Sequence, residues 1–194
     1  MQKPLILAFD TSAPHCAVAL SSGDTVLSQT HEEMKKGQAE RLMFLLQETL
    51  DRHDISYSDL DAIAVGTGPG NFTGIRIGVS AARGLALGLG IPAYGVNGFD
   101  QRAQLNPNTA VQSIAAPRAH RYVRDADGAA LVSPETFENK GYTIDPDPSP
   151  ASLAASIALV AAQRFPTPEH SPAPYYLKAP DAAPSKVAAP VILS

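Results

Sequence analysis

Residues 66–78 read GTGPGNFTGIRIG, and this glycine-rich stretch is the part of the sequence that most suggests a binding loop. It follows the apolar run 61–65 and leads into a stretch with helical character. Between a strand and a helix, such a loop presents free backbone amides to a phosphate. Glycine has a second use at such positions, because the missing side chain lets two backbones approach closely. Both uses fit these residues.

The loop lacks the features of the common nucleotide motifs. No Gly-Lys-Ser/Thr follows it, so the sequence offers neither a lysine for the β- and γ-phosphates nor a hydroxyl for magnesium. Pro69 also removes one of the amide donors that a dinucleotide fingerprint would use. A phosphate can still bind at the start of the following helix. We therefore take Gly68, Gly70, Asn71 and Thr73 as candidates for a vestigial phosphate loop.

The segment Asp10-Thr11-Ser12 closes the first predicted strand and forms the second half of this candidate site. In sugar-kinase and actin-like folds, an acidic residue at this place helps to hold the metal of a bound nucleotide. Alternatively, Asp10 forms an Asx turn, which aspartate favours where a strand ends. We name Asp10, Thr11 and Ser12 as candidate nucleotide-site residues, with both interpretations open.

The residue types that commonly bind metals are scattered along the sequence. The five histidines are His15, His31, His53, His120 and His170. No two of them have the i, i+4 spacing that places both on one helix face, and the single cysteine, Cys16, is expected to be a buried apolar residue. No serine lies in a G-x-S-x-G elbow. The sequence therefore predicts no metal site and no catalytic residue.

Composition narrows the classes of function. The 194 residues are 44% hydrophobic, which is enough for one large or two small domains with a real core. The net charge of −4 lacks the basic footprint of a protein that binds nucleic acid directly, so another subunit would have to hold any RNA. No apolar run reaches the length of about 18–20 residues that a membrane span needs, and we expect a soluble cytoplasmic protein.

The predicted elements up to residue 97 have the order βββαβαβ. Short apolar runs between turn residues predict strands, and apolar residues at three- and four-residue spacing predict helices. The predicted strands are 5–12, 16–22, 25–32, 61–66 and 91–97, and the predicted helices are 37–53 and 73–90. This is the order of a ribonuclease-H-like half-domain, so the predicted fold class is α/β with an N-terminal domain over residues 1–100.

Residues 101–194 give weaker signals and are predicted to form a smaller, loop-rich C-terminal domain. The runs 109–116 and 120–132 suggest a hairpin with Asp127-Gly128 at its turn. The alanine-rich run 152–165 predicts a helix, and 174–180 predicts a last short strand. Proline is frequent after residue 133, and it is excluded from helix interiors and central strands.

The helix predicted over 37–53 is apolar on more than one side. Leu42, Leu45 and Leu46 lie on its main apolar face, while Met43 and Phe44 widen the apolar surface. Two explanations remain open, since the second side can be covered either by a wider core contact or by a partner. We name Leu42, Leu45 and Leu46 as candidate partner contacts.

The helix predicted over 73–90 carries a stripe of small residues, Gly74, Gly78 and Ala82, at every fourth position. Each glycine in a helix costs up to about 1 kcal/mol relative to alanine, so the stripe needs a compensating contact. Either the backbone of another chain approaches, or the helix lies unusually close to its own sheet, or it does both with different stripes, since Gly84 and Gly88 form a second one. The candidate partner contacts on this helix are Gly74, Arg76, Gly78, Ala82 and Leu85, and we expect Gly74→Leu or Gly78→Leu to disrupt association more than folding.

Three stretches of this sequence closely resemble the bacterial TsaB (YeaZ) proteins of the actin/sugar-kinase/Hsp70 superfamily. They are the opening ILAFDTSAPHCAVAL, the central GTGPGNFTGIRIGVSAARGLALGLGIPAYGVN and the late YYLKAPDA. The resemblance is strong over residues 4–99 and patchy beyond them. Around 114–122 the chain departs from its relatives, which carry an Asp-Ala-Arg-type segment where this chain has IAAPRAHRY.

The resemblance implies a function that the residues alone do not give. TsaB-like proteins are non-catalytic subunits of the machinery that places a threonylcarbamoyl group on the adenosine beside the tRNA anticodon. The implied partners are a TsaD-like catalytic paralogue, which carries the metal, and a TsaE-like ATPase. The protein alone is expected to form a homodimer and to meet tRNA only through the complex. No tightly bound cofactor is implied, although a nucleotide at the composite interface remains open.

Two other functions compete with this one. Asp10-Thr11-Ser12 and the glycine-rich loop favour a small-molecule kinase-like, ATP-binding protein of the same superfamily, although the chain is short for two full kinase domains. A peptidase activity, which the historical glycoprotease label of the family suggests, has no nucleophile or metal ligands to support it. We therefore expect a protein that is not an enzyme on its own.

Overall fold

The computed structural model describes residues 3–143 and 147–177, and its centre is a five-stranded sheet. The strands are β1 (Leu5–Asp10), β2 (His15–Ser22), β3 (Thr25–Glu33), β4 (Ala62–Gly66) and β5 (Ala93–Val96). Their order in the sheet is β3-β2-β1-β4-β5. The first three strands are antiparallel neighbours, whereas β4 runs parallel to β1 and β5 runs parallel to β4.

Helices cover both faces of this sheet. They are α1 (Gln38–Asp51) and α2 (Phe72–Leu89) on one face, and α5 (Pro150–Arg164) on the other. Alternate residues of β1 serve the two faces, because Leu7 and Phe9 pack with α1 and α2 while Ile6 and Ala8 pack with α5. A strand that is buried on both faces has no polar side, which explains the unbroken apolar run at the start of the sequence.

This topology is the predicted ribonuclease-H-like fold, and the predicted order βββαβαβ is confirmed for residues up to 97. Helix α5 lies beyond residue 100 in the chain, yet it packs on the first sheet and completes its second face. The division of the chain into domains 1–100 and 101–194 stays a prediction.

A second, antiparallel sheet follows in the chain. Its strands are β6 (Gln112–Ala115), β7 (Arg121–Asp125) and β8 (Gly128–Val132), and the helices α3 (Gly98–Leu105) and α4 (Pro134–Asn139) flank it in sequence. The predicted hairpin is present as β7 and β8, in which Asp125 pairs with Gly128. The strand predicted over 174–180 is wrong for residues 174–177, which form no strand, and residues 178–180 lie outside the described part of the chain.

The small-residue stripe of α2 lies against the chain's own sheet. Gly74, Gly78 and Ala82 are buried, and a Cβ on Gly74 would overlap the carbonyl oxygen of Thr11. A Cβ on Gly78 would lie 2.8 Å from the Thr11 hydroxyl oxygen. The prediction that this stripe meets a partner is therefore wrong for the folded chain, because the end of β1 already occupies the space that the glycines leave.

The leucine face of α1 is also internal. Leu42, Leu45 and Leu46 are at most 1% exposed and belong to the core between the helices and the sheet, so they are unavailable to a partner. The guanidinium of Arg41 in this helix forms an ion pair with Glu32 of β3 at 2.6 Å. It also pairs with Glu48 of the same helix at 2.7 Å. Of the remaining predicted contacts, Leu85 is half-buried on the same core and Arg76 is exposed.

Replacing Gly74 by alanine tests the close approach of α2 to β1. We expect Gly74→Ala to lower the free energy of unfolding by about 3 kcal/mol, since the new methyl group meets backbone rather than a movable side chain. Gly84 is the matched control, because it lies in the same helix with nothing within 4 Å of a Cβ. Gly84→Ala should raise stability by about 0.5–1 kcal/mol through helix propensity. Urea unfolding followed by circular dichroism measures both, and equal effects would contradict the close approach.

Candidate functional site: a cleft between the two sheets

A cavity of about 630 Å³ separates the end of β1 from the second sheet. One wall consists of residues near the end of β1 and of the glycine-rich loop. The opposite wall consists of β6, the turn that joins it to β7, and parts of β7 and β8. The volume is within the range of about 300–1,000 Å³ that is typical of small-molecule sites.

The structure brings most of the predicted nucleotide-site residues together at this cavity. Asp10, Ser12, Gly70, Asn71 and Thr73 all line it. The two groups of residues are far apart in the sequence, but they meet because β1 and β4 are parallel neighbours whose carboxyl ends lie at the same edge of the sheet.

Thr11 and Gly68 have structural contacts away from the cavity wall. The Thr11 hydroxyl donates a hydrogen bond to the carbonyl oxygen of Gly74 at 2.7 Å. Gly68 has a φ of +95°, in the left-handed region that favours glycine, and a Cβ there would lie 3.1 Å from the carbonyl oxygen of Tyr175. Both residues therefore join the loop to its neighbours in the fold.

Asp10 is buried and its carboxylate is held by protein groups. Its Oδ2 atom lies 2.9 Å from Nε2 of His15 and accepts hydrogen bonds from the backbone N–H and the hydroxyl of Ser12. The bond from the Ser12 amide is the Asx turn that the sequence left as one of two alternatives. Its Oδ1 atom is buried without a hydrogen-bond partner, against Gly66. This geometry favours the turn over a metal-holding role, because His15 and Ser12 already use Oδ2.

The glycine-rich loop directs part of its hydrogen bonding inward. Asn71 caps α2, since its side-chain Oδ1 accepts from the amide of Gly74 at 2.8 Å. The Asn71 amide donates to the carbonyl oxygen of Ser12 at 2.7 Å, and Gly70 lies against that same oxygen. Two of the amides that could hold a phosphate are thus satisfied within the chain. The loop mainly allows β1, β4 and α2 to approach one another.

Positive charge reaches the cleft from elements that the sequence did not predict as site elements. Arg102 of α3 and Arg118 of the β6–β7 turn supply this charge at the cavity wall, which the His120 side chain of the same turn also lines. This turn belongs to the segment 114–122, which is expected from the sequence to differ from the family, and Arg118 has a left-handed φ of +60°. Helix α3 has one recognisable sequence signal, because Asn97 is an N-cap and is followed by Asp100 at the third helical position.

Asp100 connects the elements behind the cleft. Its carboxylate pairs with Arg124 of β7 at 2.6 Å and with Arg164 of α5 at 2.7 Å. Burial raises the pKa of Asp100, but the hydrogen bonds and charges of the two arginines outweigh this effect and hold the pKa below its ordinary value. The ionised carboxylate thereby fastens the second sheet and α5 to α3.

The pH dependence of stability tests this connection. Because the pKa of Asp100 is lowered in the folded chain, its ion pairs stabilise the fold above the ordinary value of 3.8 and are lost as the pH falls through the lower folded value. We expect Asp100→Asn to lower the free energy of unfolding by about 1–2 kcal/mol at pH 7. The difference from the unmodified chain should shrink towards pH 3 in acid-dependent urea titrations.

Asp127→Asn is the matched control, since the Asp127 side chain is 88% exposed and lies 3.7 Å from Lys140. This variant should change stability little at either pH. A loss for Asp100→Asn that is the same at pH 7 and pH 3 would show that the ionised carboxylate is not the source of the stabilisation.

The outer sides of α1 and α2 form a second candidate site. Phe44 is 67% exposed and Leu87 is 86% exposed, and Met43 beside Phe44 is also exposed. The sequence indicated Met43 and Phe44 as extra apolar surface, whereas Leu87 was missed because it lies between the glycines Gly84 and Gly88. These outer apolar residues (Met43, Phe44 and Leu87) are the side chains of the two helices that a partner could cover.

Known proteins resemble this chain in sequence and in structure. The model of the family described as TsaD, tRNA N6-adenosine threonylcarbamoyltransferase, matches residues 24–146. The tRNA threonylcarbamoyladenosine biosynthesis protein TsaB of Escherichia coli is 38% identical over 152 residues, which are 70% of this chain and 65% of that protein. An uncharacterized protein of Mycobacterium tuberculosis is 32% identical and aligns over 96% of this chain and 98% of its own length.

The fold of this chain also resembles that of a solved structure. YeaZ from Pseudomonas aeruginosa superimposes with a TM-score of 0.63 at 26% identity, over 84% of this chain and 93% of that chain. The match to the E. coli protein is less complete, since it spans just under two thirds of that protein's length. None of the helices in residues 3–143 and 147–177 is both long and apolar enough to cross a membrane.

Proposed function

Because this chain belongs to the TsaB (YeaZ) family, we propose that it takes part in the biosynthesis of threonylcarbamoyladenosine in tRNA, as a non-catalytic subunit that binds and activates a TsaD-like paralogue. The observation that carries the proposal is the sequence similarity to the E. coli protein of that name, at 38% identity. The matched family model, which covers residues 24–146, links the chain to the transferase that would be its partner.

The hydrogen bonds and the burial of Asp10 support the non-catalytic part of this proposal. In a kinase-like protein, the acidic residue at the end of the first strand must be free to meet a metal-bound phosphate. Here His15 and Ser12 hold Oδ2 of Asp10, and the Asp10 side chain is 2% exposed. The residues of the former nucleotide loop maintain the fold, and transfer chemistry is assigned to the paralogue. A nucleotide at the composite interface with the partners remains part of the proposal.

The outer apolar residues support the binding part of the proposal. Full burial of one large apolar side chain contributes about 1.5–3 kcal/mol, so Phe44 and Leu87 together could anchor an interface. We assign the partner contact to Met43, Phe44 and Leu87, and the exposed Arg76 lies on the same helix as Leu87. The same surface would serve a homodimer when the paralogue is absent, because one surface can pair with itself about a two-fold axis.

The remaining partners follow from the same family membership. A TsaE-like ATPase would join the assembly, and tRNA would be held by the complex rather than by this chain. The net charge of −4 agrees with that division, since phosphate binding requires clustered positive charge. The cytoplasm, where tRNA is modified, is the proposed location.

Charged substitutions on the outer apolar residues test the interface. We expect Phe44→Asp and Leu87→Asp each to weaken association with the TsaD-like paralogue by about 30-fold or more, because a buried carboxylate would replace an apolar anchor. Size-exclusion chromatography with light scattering measures the complex over a concentration series. Both substituted side chains are exposed in the single chain, so its circular dichroism and melting temperature should stay unchanged.

Leu105→Asp is the control, because Leu105 is 41% exposed and ends α3, which packs against α5 and β6. It introduces the same charge and should leave association unchanged. Normal association of both Phe44→Asp and Leu87→Asp would show that the partner binds elsewhere. Failure of the unmodified chain to associate at micromolar concentration would refute the proposed function itself.

A further inference from the structure

Two largely buried arginines lie at or directly behind the wall of the cleft and have donors that no described group accepts. The side chains of Arg102 in α3 and Arg121 in β7 are 16% and 14% exposed. Arg102 donates one hydrogen bond, to the carbonyl oxygen of Gly98 at 3.2 Å. Arg121 donates from Nε to the hydroxyl of Ser113 at 3.1 Å, whereas its Nη2 atom is buried without a hydrogen-bond partner. A guanidinium has five N–H donors, so both groups have unused capacity.

In the described part of the chain, one carboxylate forms ion pairs with both of these arginines. Oδ1 of Asp147 lies 3.6 Å from Nη2 of Arg102 and 3.9 Å from Nη2 of Arg121. Both distances exceed those of a good charge-assisted hydrogen bond, which are about 2.7–2.9 Å. The Asp147 side chain is also 55% exposed, and burial lowers the pKa of Arg102. Among the described residues, Asp147 is the carboxylate that forms ion pairs with both arginines, and both pairs are long.

Arg102 connects the pair of guanidinium groups with the open volume of the cleft, whereas Arg121 lies behind it and lines neither of the two cavities that Arg102 lines. Arg102 lines the 630 Å³ cavity and also a smaller one of about 120 Å³, which Asp147 and Ser113 line as well. Apolar side chains of Ile114, Leu131 and Leu153 contribute to the wall of the larger cavity. Asp10 is the carboxylate on that wall, and its Oδ2 atom lies 2.9 Å from Nε2 of His15.

We propose that Arg102 and Arg121 form an anion site, which binds the carboxylate or phosphate group of a small molecule whose apolar part lies in the cleft. The planar guanidinium matches the two oxygens of either group. The anion would take up the unused donors and compete with Asp147 for them. This site is separate from the outer sides of α1 and α2, so it does not depend on the proposed partner contact.

Calorimetric titration of the full chain with three probes tests the site. Hexanoate offers a carboxylate with an apolar tail, adenosine monophosphate offers a phosphate with a large body, and inorganic phosphate offers the anion alone. We expect hexanoate or adenosine monophosphate to bind saturably with a dissociation constant of about 1 mM or below, more tightly than inorganic phosphate. The tighter of the two organic probes identifies the anionic group. Absence of saturable binding by all three probes would overturn the proposal.

Charge-neutral variants locate the binding. Arg102→Gln and Arg121→Gln should each weaken the tighter probe by about tenfold, because each removes charge-assisted hydrogen bonds. Arg83→Gln is the matched control, since Arg83 is an exposed arginine of α2, and it should leave binding unchanged. Equal affinity of all three variants would place the ligand elsewhere and overturn the proposal.

Asp147→Asn distinguishes an anion site from a purely structural ion pair. Because the Asp147 side chain is 55% exposed, we expect this variant to fold. If an anion competes with Asp147, the variant should bind the probe about threefold or more tightly. If Asp147 only neutralises the arginines, the variant should lose thermal stability and gain no affinity. The second result would overturn the proposal even if the arginine variants fold poorly.

Discussion

Helix α2 rests with its backbone on Thr11 at the end of β1, and the other parts of the candidate sites take their positions from this contact. Gly74 and Gly78 have no side chains to hold the helix away, and the Thr11 hydroxyl donates to the Gly74 carbonyl at 2.7 Å. Two glycines in a helix cost about 2 kcal/mol together, which the burial of the surrounding core must offset. The contact places the glycine-rich loop beside Asp10 and turns the opposite side of α2 outward.

The molecule consequently has two faces with different chemistry. The inner edge of the sheet, where β1 and β4 end, opens into a cleft in which His15 contacts the Asp10 carboxylate and arginines reach the wall from α3 and the β6–β7 turn. The outer sides of α1 and α2 carry exposed apolar side chains such as Phe44 and Leu87. A subunit that supports a catalytic paralogue needs the outer surface, whereas an anion in the cleft would use the inner one.

The sequence predicted the first sheet and its helices because their apolar periodicities are strong and local. It did not predict which side of α2 faces inward, since a stripe of small residues fits a neighbouring sheet and a partner equally well. The choice depends on Thr11, which is 63 positions away from Gly74. The shared contact of Arg102 and Arg121 with Asp147 was missed for a similar reason, because it depends on three residues that are far apart in the sequence.

Reconstituted threonylcarbamoyl transfer tests the central claim, that this chain activates a catalytic paralogue without catalysing transfer itself. The components are tRNA, threonylcarbamoyl-adenylate, the TsaD-like paralogue and the TsaE-like ATPase, with and without this chain. We expect modified adenosine only when this chain and the paralogue are both present. Modification by this chain in the absence of the paralogue, or full modification by the other components without this chain, would contradict the claim.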